Sequence, residues 1–158
     1  MPALGWIRQV RAGGDAHGGN LAFVRPLNIF FDVDGCLVSW NLHLRPYARE
    51  VLERLQERGH HVYMWSGYGA RREVADKHDL WPLLAGIMGK PIFQYRQRLH
   101  LFTDIVPDFI IDDHREIVEA LGGAVIKPPQ EPLARDREMV RVYRRILEYE
   151  REHRRRWA

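Results

Sequence analysis

Seven residues, Leu27-Asn28-Ile29-Phe30-Phe31-Asp32-Val33, narrow what this chain can fold into more than any other stretch. Apolar almost throughout and closing on polar residues, the run reads as a strand covered on both faces, the kind that fills parallel sheets. Such a strand needs neighbours, and four later segments can supply them. His61-Val62-Tyr63-Met64-Trp65 ends at Ser66-Gly67, and Gly86-Ile87-Met88-Gly89 makes a short third strand. Asp108-Phe109-Ile110-Ile111-Asp112-Asp113 is the next, and Gly123-Ala124-Val125-Ile126 the last, closed by Lys127-Pro128-Pro129.

Helical patterns fall between them. Pro46 opens a helix whose Ala48, Val51, Leu52 and Leu55 share one face and which Gly59 stops. Further helices are expected over Arg71–Asp79, from Arg115 to Leu121, and as one long element from Leu133 to Arg155, with Met139, Tyr143, Ile146 and Leu147 on one face. Residues 93–103 are open to either helix or irregular structure. The alternation predicts an α/β fold, a three-layer, mostly parallel Rossmann-like sheet with helices on both faces and right-handed crossovers.

With 158 residues the chain suits one domain, divided into a leader over 1–25, a core over 26–130 and a basic C-terminal helix over 131–158. The lone Cys36 rules out an internal disulfide and fits a reducing compartment. No apolar run approaches a membrane span, and the first 25 residues lack a hydrophobic signal core, so the expected location is cytoplasmic with no membrane partner. Nine arginines between Arg135 and Arg156 are interleaved with five acids. That pattern reads as a solvated helix face with pairs such as Arg144–Glu148 and Glu150–Arg154, its end projecting beyond Leu147. The tail alone could meet an anionic partner; charge elsewhere is nearly balanced and leaves no general nucleic-acid footprint.

Ligands of open parallel sheets bind beyond the carboxyl ends of the strands. Three of the expected strands end there in polar groups: Asp32-Val33-Asp34-Gly35, Ser66-Gly67 and Asp112-Asp113. Four carboxylates converging in one crevice raise one another's pKa, and a hard divalent cation with oxygen ligands resolves the repulsion. Such a site suits phosphoryl transfer: one carboxylate as nucleophile, a second to protonate the leaving oxygen and then activate water, and a lysine to offset charge.

At this point the residues resemble a known family. Phe30-Phe31-Asp32-Val33-Asp34-Gly35-Cys36-Leu37 is similar to the first signature of haloacid dehalogenase-superfamily phosphatases, with Cys36 where threonine is usual. Ser66 matches the second signature, Lys90 in Gly89-Lys90-Pro91 the third, and Ile110-Ile111-Asp112-Asp113 the fourth in its paired-aspartate form. The resemblance spans about residues 27–127. It implies Asp32 as nucleophile and metal ligand, and Asp34 as general acid/base with its carbonyl on Mg²⁺. It further implies Ser66 and Gly67 with Lys90 at the phosphoryl group, and Asp113 as metal ligand with Asp112 beside it. The intervals Cys36–Ser66 and Ser66–Asp112 are filled by core elements, so the chain resembles a capless member. In that family capless enzymes act on large substrates or close their sites by homo-oligomerisation. A phosphorylated substrate is therefore expected, small or macromolecular: a nucleic-acid end, a nucleotide or a phosphoprotein.

Other readings stand beside these. A catalytically silent module of this fold, docking through its basic C-terminal helix, is the competing function. Dehalogenation at carbon is a second, opposed by Asp34, because a departing halide needs no proton. Arg71 and Arg72 read equally as contacts to an anionic substrate or as a solvated helix face. His114 reads as an exposed helix-start residue, His60-His61 as the start of the second strand, and Cys36 as a packed side chain.

Overall fold

Strict alternation along the first strand sets the layers. In the computed structural model, which describes residues 25–157 and their side chains to 153, β1 (Asn28–Asp32) sends Ile29 and Phe31 into the larger of two cores and Phe30 into the smaller. Apart from Arg25, the expected leader lies outside the described residues. On the larger side, α1 (Ala48–Glu57), α2 (Arg72–Lys77) and α5 (Glu138–Trp157) cover the sheet. On the other side, α3 (Tyr95–Arg98) and α4 (Arg115–Leu121) enclose Phe30, Tyr63, Trp65 and Ile110. Phe30 meets the rings of Tyr63 and Trp65 at 5.2 Å each, the tilted and edge-on geometries that aromatic quadrupoles favour.

The sheet is completed by β2 (His61–Ser66), β3 (Gly86–Gly89), β4 (Phe109–Asp112) and β5 (Gly123–Val125). All pairings are parallel, in the order β3-β2-β1-β4-β5. This is the expected Rossmann-like α/β architecture. The chain runs outward from β1 through β2 to β3, then crosses back to begin β4 on the opposite side of β1. The switch point therefore lies between β1 and β4, where Asp32 and Asp112 end their strands.

The C-terminus of α1 shows why Gly59 stands there. Gly59 takes φ +86°, and the His60 amide reaches back to the Leu55 carbonyl at 3.1 Å. That is the left-handed helix stop a residue without Cβ permits, and it turns the chain directly into β2. The undecided stretch 93–103 forms α3 followed by a 3₁₀ turn, Leu99–Leu101.

The last helix departs from expectation at both ends. It begins at Glu138, not Leu133, because a 3₁₀ turn at Leu133–Arg135 leads into an extended Asp136. Asp136 is claimed by Arg45, whose guanidinium grips both its oxygens at 2.9 and 2.8 Å and also donates to the carbonyls of Cys36 and Lys127. The same carboxylate accepts the Glu138 amide at 3.0 Å and so starts the helix. Arg45 is fully buried, a role the sequence reading missed. Beyond Leu147 the helix still packs. Glu150 is buried against Arg58 at 2.6 Å, and Tyr149 stacks edge-on to Phe109. The expectation that Glu150 is a solvated partner of Arg154 is therefore corrected: Arg58 comes up from the end of α1 to meet it.

Removing one member of a buried ion pair leaves an uncompensated charge. Asp136→Ala is expected to lower unfolding stability by about 3 kcal/mol, read as a drop in the urea midpoint with unchanged slope. A midpoint equal to wild type would show that water reaches Arg45 and the pair holds nothing.

Candidate active site

Each polar strand end is aimed by the register of the sheet. Asp32 pairs with Trp65, Ser66 with Gly89, and Asp112 with Val125, so β1, β2, β3 and β4 finish level with one another. Lys90 follows β3 at once, its own amide tied to the Ser66 carbonyl at 2.9 Å. From that edge its side chain crosses β2, passing 5.8 Å from the Trp65 ring centroid, and ends between the switch-point carboxylates. Its Nζ donates to Asp32 Oδ1 at 2.8 Å and to Asp112 Oδ2 at 2.6 Å.

The pKa directions follow from this burial. Desolvation, reinforced by Asp112, raises Asp32 well above the usual carboxylate range despite Lys90. Burial likewise outweighs Lys90 at Asp112 and raises it. At Lys90 burial pulls downward, yet its two carboxylate partners prevail and hold the ammonium above the ordinary lysine value.

The turn after β1 carries Asp34. Gly35 donates to the Val38 carbonyl and Val38 to that of Val33, folding the turn tightly. Gly35 sits at φ +78°, and a Cβ there would stand 2.9 Å from Asp113 Oδ2, so both conformation and space demand glycine. Asp34 Oδ1 meets Arg71 Nη2 at 2.7 Å, while its Oδ2 is buried with no hydrogen-bond donor. Of the two readings for Arg71, the solvated face gives way: it is an ion-pair partner of a candidate catalytic residue. Position alone could have hinted at this, since Arg71 follows the Ser66 strand end by one short loop.

The paired aspartates divide their contacts. Asp112 is fully buried with both oxygens engaged, Oδ2 by Lys90 and Oδ1 by the His114 amide at 3.0 Å. Asp113 Oδ1 is buried without a hydrogen bond, and the His114 ring nitrogen lies 3.1 Å from it. His114 is exposed at the start of α4, as expected, but its ring also lines the site. Ser66 Oγ accepts the Tyr68 amide at 3.1 Å, which leaves its own proton to donate. Burial, then Asp32 and Asp112, push the Cys36 thiol well up, so it is an inert packed residue. His60 is buried, its Nδ1 accepting the Leu27 amide at the foot of the sheet.

All seven residues expected in the site, Asp32, Asp34, Ser66, Gly67, Lys90, Asp112 and Asp113, thus gather at one end of the sheet. There a cavity of about 330 Å³ opens, lined by Asp32, Asp34, Ser66, Gly67 and Lys90 among others. Four carboxylates face two fixed cations, Lys90 and Arg71, an excess of two negative charges. The undonated oxygens of Asp34 and Asp113 fit a hard divalent cation, which binds oxygen and would balance that excess. Asp112, Asp113 and His114 also form a cluster whose ligand atoms lie within 4.8 Å of one another.

Residues 29–77 match the family of haloacid dehalogenase-like hydrolases, a stretch that takes in β1, the Asp34 turn, β2, Ser66 and α2. No curated protein matches the chain. No helix among the described residues is long and apolar enough to cross a membrane.

Because the folded-state pKa of Asp32 is raised, its ionised form weighs against the metal-free fold. That penalty is absent at acid pH and grows as pH climbs from the ordinary carboxylate range through the raised value. Asp32→Asn in chelator at neutral pH is therefore expected to raise the thermal midpoint by about 3 °C, and the gain should vanish towards pH 4. A lower midpoint would mean that the Lys90 pairing outweighs the burial.

Proposed function

We propose that this protein is a haloacid dehalogenase-like hydrolase, a Mg²⁺-dependent phosphatase that cleaves phosphate monoesters through an aspartyl-phosphate on Asp32. The observation that carries the reading is the division of labour between two carboxylates one residue apart. Asp32 is held by Lys90 at the strand end, while Asp34 faces the same cavity from the turn with one buried oxygen undonated.

Asp32 attacks phosphorus, and the bond from phosphorus to the ester oxygen breaks. The departing oxygen takes its proton from Asp34. In the second step Asp34 accepts a proton from the attacking water, which releases phosphate and restores the Asp32 carboxylate. Arg71 keeps Asp34 turned into the cavity. Lys90 spends two of its protons on Asp32 and Asp112, leaving the third for a phosphoryl oxygen, and the Ser66 hydroxyl supplies another. Asp32 and Asp113, the carbonyl of Asp34, and Asp112 behind them would hold the cation. When bound it supplies charge for the phosphoryl oxygens and alignment of the ester.

The domain works without a separate cap. The links that border the site are short: residues 33–47 between β1 and α1, and residues 90–94 between β3 and α3. A silent docking module would have no reason to bury Asp32 and Asp112 around one lysine, and turnover separates the two readings.

Hydrolysis of phenyl phosphate is expected to need Mg²⁺, to cease in EDTA and to return when the cation is restored. Activity indifferent to the chelator would remove the metal from the mechanism. Asp32→Asn should abolish turnover together with the acid-stable, base-labile phosphoenzyme. Asp34→Asn should slow turnover by roughly 10²–10⁴, the usual worth of general acid–base catalysis. Wild-type rates in the Asp32 variant would leave the nucleophile unassigned and the chemistry wrong.

A further inference from the structure

Part of the mouth of the catalytic cavity is apolar and aromatic. Trp40, Tyr68 and Ile92 line it and are 64%, 76% and 70% exposed. They come from three separate connections: the turn after β1, the loop after β2 and the segment after β3. Single exposed apolar side chains need no explanation, but three converging on one concave opening do. Trp40 and Ile92 are also seated on glycines just beyond the strand ends. A Cβ on Gly35 would touch the Trp40 ring at 3.5 Å, and one on Gly67 would press Ile92 at 3.2 Å.

Charge narrows what such a mouth accepts. Among the described residues that line the cavity, Lys90 is the one fixed cation, and it is committed to the phosphoryl end. A polynucleotide needs cations along the path of its backbone, and the wall beyond Lys90 offers Trp40, Tyr68 and Ile92 with the acidic Glu116 instead. The cavity, about 330 Å³, lies at the lower end of the range for small-ligand sites.

We infer that Trp40, Tyr68 and Ile92 form a subsite for the leaving group, and that the substrate is a small phosphate monoester whose alcohol carries a flat ring. This rests on the phosphatase reading above and adds the substrate class. A ring entering between Trp40 and Tyr68 stacks on faces that are rigid and already exposed, so little freedom is lost on binding. It would also shield the ester oxygen beside Asp34 from water, a task a cap performs elsewhere.

Phosphonates test this without turnover, because they have no ester oxygen to lose. Phenylphosphonate and propylphosphonate are titrated calorimetrically into the full-length protein with Mg²⁺. Phenylphosphonate is expected to bind about tenfold tighter, the order of one aromatic contact. Trp40→Ala and Tyr68→Ala should each reduce that ratio about threefold, and the double variant should abolish it. Val106→Ala, exposed but outside the cavity lining, should keep the wild-type ratio. Equal affinity of the two phosphonates for wild type would overturn the ring subsite while leaving the phosphate site standing. Binding of neither would overturn the phosphate site beneath it, and this inference with it. Competition by phosphotyrosine and adenosine monophosphate then distinguishes an aryl ester from a nucleotide. Stronger displacement by either than by glycerol phosphate supports the subsite, and displacement by neither refutes it.

Discussion

One ammonium group holds the functional end of this protein together. Lys90 leaves the edge strand, crosses above Trp65 and lies between Asp32 and Asp112, the two carboxylates of the switch point. Without it, two buried acids would face each other across adjacent strands in a medium that screens poorly. Its position depends on β3 pairing in register with β2, since the Lys90 amide is tied to the Ser66 carbonyl. A slip of one residue would turn the side chain to the other face of the sheet. The site is thus a property of the whole half-sheet and not of any one loop.

Even so, the site is electrostatically unfinished. Two buried carboxylate oxygens have no donor, and the pKa of Asp32 stands well above its ordinary value. The rest of the fold carries its polar groups differently. Arg45 closes a buried network in which its donors reach Asp136 and two carbonyls, and that network joins the loop after β1 to the start of α5. Glu150 does similar work between α5 and the end of α1. The Arg45–Asp136 and Arg58–Glu150 pairs are closed, whereas the undonated oxygens of Asp34 and Asp113 sit where a ligand can complete them, as expected when stability is given up for function.

The aromatic mouth gives this arrangement an entrance. Trp40 and Tyr68 reach the cavity opening from the connections after β1 and β2, residues 33–47 and 67–71. Trp40 packs over Gly35 and Ile92 over Gly67, so small residues beside the catalytic groups also seat two walls of the opening.

The sheet was legible because its strands are short apolar runs that end in acids. A buried parallel strand advertises itself by composition, and the chemistry beyond its end follows from which residues interrupt the run. Asp32, Asp34, Ser66, Asp112 and Asp113 were all readable in this way, while Lys90 was picked out by its resemblance to a family signature. Local pattern could not reveal what depends on distant partners. Arg45 and Asp136 are 91 positions apart, and nothing near Leu133 announces that its helix must wait for Asp136 to be taken by an arginine from the other end of the core. Glu150 looked like one more charge on a solvated face until α1 brought Arg58 against it. Arg71 stayed open between a substrate contact and a solvated face until the turn placed Asp34 within 2.7 Å. The sequence by itself determined the strands, their order of chemistry and the acids at their ends, because those rest on neighbours along the chain. Which charges are buried, which are paired and which side chains ring the mouth was decided only by tertiary structure, because a charge acquires its partner only when the chain has folded.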